Sequence, residues 1–456
     1  MTDQRIARTE AFKTFAAALK DRPLDPGKPE DAKWYVETLH LETDANGTVR
    51  DPIRKLARKI ERAEGGRHVW LYTGNIGTGK STELRRLKGL LKDAGHIPLL
   101  ADAADYMHLQ SPIEISDFLI SISAAFAVEA GKCLGSNEVE EGYWRRIKNV
   151  LTGTQISVTE ATASAALPDL GELEIKAAIR LDPTYKQRLQ AHLQAHLSTL
   201  VKEVHALVED IAGKLRNNQH FGEHAKIVLL FDNMERLRGS GAAADTVFTS
   251  LRRMFTQFHD MLRLPEIQVV YSVPPYLGRL EPQLYAVFGD ATFCSLTYAH
   301  VFKFTQGRRE IDTDGVKQLR ELVARRYPDW ESLLPEAELN RLIMYSGGNL
   351  RDLFRFISAV LLELEDDVAP SAAVEYVLAH VRRSLEWIVD QDGERLKTIA
   401  RTKQLQRGSQ AEMDAFVRDM ETGRVLMYLN GEEWYDVHPL LWDTLGLDAA
   451  EDHAGG

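Results

Sequence analysis

The chain has little cysteine, no long apolar run and no excess of basic residues. Cys133 and Cys294 are its two cysteines. They are too few for a metal site of their own or a disulfide framework, so we expect both to be small buried hydrophobic residues. No apolar run approaches the roughly 20 residues that a membrane span requires. The N-terminus lacks the apolar segment of a signal peptide, so these absences together predict a cytoplasmic protein with no membrane partner.

The charge balance limits the kinds of partner. The formal net charge is −11, which argues against a generally basic, nucleic-acid-coating surface but leaves room for a local basic patch. Hydrophobic residues make up 44% and charged residues 27% of the 456 residues, as in globular proteins. A chain of this length predicts about two to four domains.

The most informative stretch follows the apolar run 69–72 and precedes a helical pattern over 82–91. It matches the pattern G-x-x-x-x-G-K-[ST] at every fixed position, and it reads Gly74-Asn75-Ile76-Gly77-Thr78-Gly79-Lys80-Ser81. The order of strand, glycine-rich loop and helix is that of a P-loop, so the sequence predicts that this segment binds a nucleoside triphosphate.

The residue types of this loop indicate how it would hold phosphate. Its glycines let the backbone turn and point N–H groups at phosphate oxygens, and the following helix adds the positive end of its dipole. Lys80 can reach the β- and γ-phosphates, and the Ser81 hydroxyl can ligate Mg²⁺. We predict that the nucleotide contacts all residues from Gly74 to Ser81 and also Thr82.

A second motif lies at the end of the apolar run Lys226–Phe231. Asp232 follows this run, and an acid at the tip of a strand beside the P-loop strand is expected to bind Mg²⁺. Glu235 can polarise the attacking water as a general base. Asn233 occupies the position immediately after the aspartate, where the catalytic acid more usually lies, so the motif predicts binding more directly than hydrolysis. The alternative for both acids is an exposed loop carboxylate.

Further apolar runs alternate with helical patterns. Ile97–Asp102 and Ile267–Tyr271 read as buried strands, and His300–Phe304 is expected to close the sheet. Ser272, at the end of the second run, can touch the γ-phosphate or position water, or it can simply end the strand. The alternation predicts an α/β fold with a mostly parallel sheet covered by helices on both faces.

The segment from about 111 to 222 predicts a largely helical insert. Its clearest periodic parts are Ile113–Ala130 and Tyr185–Arg216, and Gln155–Thr159 is a candidate edge strand. His192 and His196, four residues apart, would share one face of the second helix, with His205 further along it. We favour a solvated or partly packed face over a zinc site, since no further ligand is apparent.

A small helical module follows. The periodic patterns predict helices over Asp314–Tyr327 and Pro335–Tyr345, and a third helix opens at Ser346-Gly347-Gly348-Asn349-Leu350-Arg351. The glycines end one helix and Asn349 can cap the next, which places Arg351 in a first turn.

These motifs together resemble the AAA+ ATPases of the broad STAND and origin-recognition-like group. The resemblance covers about residues 51–365, and stretches 81–87 and 434–441 also look like parts of uncharacterised bacterial ATP-binding proteins. It implies that ATP is the nucleotide, that Arg351 is a sensor 2 arginine contacting the γ-phosphate, and that Ser272 holds the sensor 1 position. It also implies a homo-oligomer in which Arg279 is the candidate arginine finger. Competing candidates are Arg252, Arg253, Arg308 and Arg309, and a STAND-like protein can lack a finger altogether.

The resemblance and the composition divide the chain into four parts. They are an N-terminal arm (1–50), a P-loop ATPase core (51–305) with the helical insert, a helical lid (306–370) and a winged-helix-like domain (371–456). In the last part, helical patterns over 371–389, 393–406 and 410–421 precede two apolar runs joined by Asn430-Gly431, a hairpin signal. Trp434 and His438 are expected to pack rather than to catalyse.

Two functions remain open at this stage. The first is a nucleotide-dependent switch in which the insert senses a partner, and the resemblance suggests a bacterial regulatory or anti-phage defence component acting with a separate effector. The alternative is a DNA-associated ATPase that resembles replication initiators or transposition regulators. Residues 371–456 carry 9 basic and 16 acidic residues, a net charge of −7, which disfavours DNA. The exception is the basic segment Arg395–Arg407, which contains no acid.

Overall fold

The structure is a computed structural model. It describes residues 2–43, 48–153, 196–218, 221–222, 224–237, 244–289, 292–305, 308–386, 390–405 and 408–447. The described chain forms two units, each with its own hydrophobic core. The first unit comprises residues 1–55, 74–83 and 295–456, and the second comprises residues 56–73 and 84–294. The four-part division predicted from the sequence stays a prediction.

The strands are two to six residues long. In chain order they are β1 (Glu42–Thr43), β2 (Val49–Arg50), β3 (Val69–Gly74), β4 (Ile97–Asp102), β5 (Ile227–Asp232), β6 (Gln268–Val273), β7 (Phe293–Leu296), β8 (Phe302–Thr305), β9 (Arg308–Ile311), β10 (Val425–Asn430) and β11 (Glu432–Val437).

The α-helices outnumber the strands in the described chain. They are α1 (Thr2–Ala18), α2 (Pro29–Ala32), α3 (Pro52–Arg62), α4 (Lys80–Asp93), α5 (Ile115–Leu134), α6 (Glu138–Gly153), α7 (Leu197–Arg216), α8 (Ala244–Gln257), α9 (Leu277–Leu280), α10 (Gln283–Phe288), α11 (Thr313–Arg326), α12 (Glu336–Tyr345), α13 (Leu350–Glu365), α14 (Pro370–Leu385), α15 (Asp390–Thr402) and α16 (Gln410–Glu421).

The main sheet has five strands in the order β4-β5-β6-β3-β7. The β4–β5, β5–β6 and β6–β3 ladders are all parallel. Every residue of β3, β5 and β6 is buried, as expected for central strands of a parallel sheet with both faces covered. The predicted α/β fold with a parallel sheet is therefore confirmed.

The sequence-based prediction of the last core strand is wrong. The fifth strand is β7, whereas β8, which lies within the predicted run His300–Phe304, pairs with β9 in a separate antiparallel hairpin. In β7, buried residues alternate with half-buried ones, and polar Ser295 interrupts the apolar run. Along β8, Phe302 is buried and Lys303 is exposed, which is the alternation of a half-buried hairpin strand rather than of a central one.

Helix α5 forms the centre of the second unit's core. It is buried from Ile115 through Val128, where most of its residues are apolar or small, and it ends at Gly135 in the left-handed conformation. The candidate edge strand 155–159 and residues 185–195, including His192, lie outside the described residues. His196 precedes α7, which begins at Leu197, so the prediction that placed it on the helix is wrong.

The first unit contains the helices that follow the sheet, together with the N-terminal segment. Helix α1 contributes Phe12 and Phe15 to this unit's core, and Phe15 stacks on Tyr327 with ring centroids 4.7 Å apart. The core also contains residues of α11, α12, α13 and α14. The N-terminal segment is therefore a packed part of this unit.

Residues 370–437 have the order of helices and strands that the sequence predicted. Three helices, α14, α15 and α16, precede the antiparallel hairpin of β10 and β11. Tyr428 lies opposite Trp434 in the ladder, and their rings stack at 4.6 Å. Gly431 makes the turn with a φ of 97°, which an L-residue rarely adopts. The predicted hairpin is confirmed.

Among the described helices, none is long and apolar enough to cross a membrane.

Candidate functional site

The loop between β3 and α4 has the conformation that its glycines require. Gly77 and Gly79 both adopt positive φ angles, 85° and 87°, which residues other than glycine rarely adopt. The loop then turns into α4, where the amide of Thr82 donates to the Gly79 carbonyl at 2.9 Å. The predicted order of strand, loop and helix is confirmed.

The side chain of Lys80 lies along this loop. It is buried, and its Nζ donates a hydrogen bond to the Asn75 carbonyl at 2.8 Å. The Thr78 hydroxyl donates to the same carbonyl at 2.9 Å. These contacts fix the ammonium group over the loop backbone, where it would meet an anion bound by the loop's N–H groups.

The first turn of α13 contacts the P-loop within the first unit. The amide of Leu350 donates to the Gly77 carbonyl at 3.0 Å. Asn349 caps the helix, since its Oδ1 accepts from the amides of Arg351 at 3.0 Å and Asp352 at 3.3 Å. Arg351 thus occupies the predicted first turn, directly after the residue that contacts the P-loop.

The N-terminal arm also contacts this part of the chain, and no sequence motif predicts this contact. The amide of Leu24 donates to Thr82 Oγ1 at 3.0 Å, and the Tyr35 hydroxyl donates to Glu83 Oε1 at 2.7 Å. These contacts join segments about 50 residues apart. The two segments share no sequence pattern that would predict their pairing.

In the second unit, Asp232 is the last residue of β5 and is buried. Its Oδ1 accepts from the amide of Asn233 at 2.8 Å. Asp102, the last residue of β4, is its register neighbour. Asn233 adopts a left-handed conformation with a φ of 66°, and its Nδ2 donates to Asp102 Oδ2 at 2.6 Å. The side-chain amide of Asn233, which occupies the usual position of the catalytic acid, is therefore bound to the carboxylate of Asp102.

Glu235 and Ser272 lie together in the same unit. Ser272 Oγ donates to Glu235 Oε2 at 2.8 Å and accepts from the amide of Met234 at 3.1 Å. Both side chains are buried. The short 3-10 turn Met234–Arg236 brings the carboxylate back to the end of β6, so neither residue is an exposed loop group.

The candidate arginine fingers differ in how strongly the chain holds them. Arg252 pairs with Glu281, and Arg309 pairs with Asp436 at 2.9 Å and stacks on Trp442 with 3.7 Å from the guanidinium carbon to the ring centroid. These internal pairs engage both guanidinium groups. Arg279, Arg253 and Arg308 are exposed on the surface.

The basic segment Arg395–Arg407 is less available than its sequence suggested. Arg395 pairs with Asp392 and Asp419, both at 2.7 Å, and Lys397 pairs with Glu394 at 3.1 Å. Lys403 is buried, with its Nζ 2.9 Å from Asp436. Arg401 is exposed, and Arg407 lies outside the described residues.

The histidines of the described chain make no metal cluster with other potential ligands. His438 is buried at the end of β11, and its Nδ1 accepts from the amide of Leu440 at 3.2 Å. Burial lowers the pKa of this imidazole to about 4, because the charged form loses its hydration. The prediction that His438 packs rather than catalyses agrees with this burial.

Comparison with known proteins finds similarity among solved structures. No family model and no curated protein matches the chain. The Aeropyrum pernix ORC2 protein, solved in ADPNP and ADP complexes, has a TM-score of 0.39 at 12% identity and covers 94% of this chain and 95% of its own. Drosophila ORC bound to DNA has a TM-score of 0.38 at 11% identity, covering 94% and 89%. Cdc6p from Pyrobaculum aerophilum has a TM-score of 0.33 at 12% identity, covering 91% and 95%. With scores this low, the fold assignment rests on the strand order and the P-loop of the chain itself.

Proposed function

We propose that the protein binds ATP and Mg²⁺ and works as a nucleotide-dependent switch of the AAA+ type. The observation that carries the proposal is the P-loop, whose positive-φ glycines and loop-facing Lys80 adjoin the first turn of α13. A loop of this form offers N–H groups and an ammonium group to phosphate oxygens. The helix carrying Arg351 touches it, which gives an arginine beside the loop that a γ-phosphate can engage.

Each predicted site residue has a role in this proposal. Residues Gly74 to Thr82 bind the phosphates, with Lys80 as the cation. The Ser81 hydroxyl and the Asp232 carboxylate offer the oxygen ligands that Mg²⁺ prefers. Bound Mg²⁺ would neutralise developing charge on the phosphates.

We further propose that hydrolysis occurs and that it is slow. Glu235 is the candidate base, and Ser272, which donates to it, orients the carboxylate. Asn233 cannot accept a proton from water, and its amide is bound to Asp102. A slow turnover suits a switch, in which the γ-phosphate holds one arrangement of the chain until it is cleaved.

The resemblance to the STAND and origin-recognition-like ATPases suggests where the protein works and with which partners. We propose a cytoplasmic homo-oligomer, with the helical insert as the partner-sensing part and a separate effector protein, in a bacterial regulatory or anti-phage defence system. Of the finger candidates, Arg279 stays our choice, since it follows the strand that ends in Ser272, where the resemblance places the finger.

Ion pairs within the chain weigh against the DNA-associated alternative. Two of the basic residues that distinguished it, Arg395 and Lys403, are bound to carboxylates of the same chain. A phosphate backbone would have to compete with those partners.

The test is nucleotide binding and phosphate release by the purified full chain, with and without double-stranded DNA, together with the particle mass. ATP binding that is lost in Lys80→Ala, with slow turnover indifferent to DNA, supports the switch. Turnover stimulated by DNA would favour the alternative. Binding that is unchanged in Lys80→Ala would reject both.

A further inference from the structure

An ion pair within the first unit joins Asp21 of the N-terminal arm to Arg351 in the first turn of α13. Arg351 Nε donates to Asp21 Oδ2 at 2.5 Å. The two residues are 330 positions apart, and their side chains are partly exposed, 27% for Arg351 and 46% for Asp21. Asp21 follows α1, and Arg351 follows the residue whose amide contacts Gly77 of the P-loop.

The contact uses only one edge of the guanidinium group. Within the part of the chain that the structure describes, the Arg351 side chain donates this hydrogen bond alone. A guanidinium has five N–H donors, so both Nη groups retain theirs. An arginine held through Nε has a fixed orientation and still offers two donating groups to a phosphate.

The chain on both sides of Asp21 is held by hydrogen bonds and an ion pair. The Arg326 Nη1 group donates to the Ala18 carbonyl at 3.0 Å, which fixes the end of α1. After Asp21, Arg22 binds the Asp31 carboxylate, and the amide of Asp25 donates to the same carboxylate at 2.8 Å. The hydrogen bond from Arg22 lowers the pKa of Asp31 to about 2.

We propose that Asp21 is a positioning residue for Arg351 and thereby favours nucleoside triphosphate over diphosphate. By holding Nε, Asp21 fixes the guanidinium on the helix turn beside the P-loop while both Nη groups remain for the γ-phosphate. A diphosphate lacks the γ-phosphate that these donors would meet, so the fixed orientation raises the affinity for ATP and not the affinity for ADP. The inference rests on the proposed function and extends it to a residue of the N-terminal arm.

The test compares affinities for ATP and ADP, measured by calorimetry on the full chain. Asp21→Asn keeps the shape of the side chain and removes its charge. Because the pair is partly exposed, we expect the ratio of ATP to ADP affinity to fall by about two- to fivefold. The matched control is Asp25→Asn, which removes a charge from the same arm at a side chain whose Oδ1 accepts from the Gly27 amide at 3.1 Å. The control should leave the ratio unchanged.

A double-mutant cycle separates positioning from a general effect. In an Arg351→Ala background, Asp21→Asn should have no further effect on the ratio, since the group that it positions is gone. The inference is overturned if Asp21→Asn leaves the ratio unchanged or raises it, or if the fall persists without Arg351. Binding that Lys80→Ala abolishes, with a ratio insensitive to Asp21, would reject this inference alone. Binding insensitive to Lys80→Ala would reject the proposed function as well.

Discussion

The Ser272 hydroxyl donates a hydrogen bond to the Glu235 carboxylate at 2.8 Å, and both groups are buried. Sequence patterns gave these residues separate tasks, as a phosphate sensor and as a general base. The hydrogen bond makes them one unit, in which the hydroxyl sets the orientation of the acid.

The first prediction concerns this unit. Glu235→Gln keeps the acceptor oxygen for Ser272 but removes the group that can take a proton from water. General bases typically contribute at least about a hundredfold, so we expect phosphate release to fall by about that factor or more. Affinity for ATP should change by less than about threefold, because the base acts in the chemical step. A parallel fall in affinity and turnover would show that Glu235 binds nucleotide rather than activating water.

The second prediction concerns the closeness of Gly77 to Asn349. A Cβ at Gly77 would lie 1.8 Å from Asn349 Oδ1, on a backbone with a φ of 85°. Gly77→Ala should therefore destabilise the fold by about 2–4 kcal/mol, from left-handed strain and overpacking together, and weaken ATP binding. Melting temperature and calorimetry measure the two effects.

The matched control for that variant is Gly89→Ala in the body of α4. A Cβ there meets nothing within 4 Å, so alanine should be neutral or stabilise by about 0.5–1 kcal/mol through its helix propensity. If Gly77→Ala behaves like Gly89→Ala, the contact between the first turn of α13 and the P-loop is wrong.

The third prediction concerns the buried charges of the last hairpin. Asp436 is bound by Lys403 and Arg309, both at 2.9 Å. Lys403→Ala removes one partner from a buried carboxylate, and we expect it to cost about 3 kcal/mol in urea unfolding. Arg401→Ala, at an exposed position in the last turn of α15 and two residues before Lys403, should change stability by less than about 0.5 kcal/mol. Equal effects of the two variants would contradict the buried position of Lys403.

The fourth prediction is a dependence of stability on pH. The pKa of His438 is lowered by burial to about 4, while in the unfolded chain it is about 6.5. The unfolded state therefore binds more protons than the folded state between these pH values. The contribution of neutral His438 to the free energy of unfolding is complete above pH 6.5 and is lost as the pH falls to 4. The loss is on the order of 3 kcal/mol.

His438→Asn tests this directly, because the Asn side-chain oxygen can accept from the amide of Leu440 as Nδ1 does. The variant should show a shallower fall of unfolding free energy between pH 6.5 and 4. The same slope in both proteins would assign the pH dependence to other groups.

The parts of the fold that the sequence predicted are those encoded locally. The P-loop depends on glycines within eight residues, and β3, β5 and β6 are mostly apolar and buried at every position. Strand β7 was missed because Ser295 interrupts its apolar residues, and β8 was misplaced because an alternating hairpin strand resembles a short core strand.

The parts that the sequence could not predict join distant residues. The pair of Asp21 with Arg351 spans 330 positions, and the pair of Asn233 with Asp102 spans 131. The same holds for the basic segment, since the carboxylates of Asp419 and Asp436, which bind Arg395 and Lys403, lie 24 and 33 residues further along. Charge counted along a segment does not show which charges are already paired in the fold.

The most direct test of the account is ATP binding by the full chain and by Lys80→Ala, measured by calorimetry in the presence of Mg²⁺. The account predicts binding by the native chain and a loss of at least about a hundredfold in the variant, whose melting temperature should stay close to the native value. Equal binding by both proteins, or no binding by the native chain, would contradict the claim that this loop holds a nucleoside triphosphate.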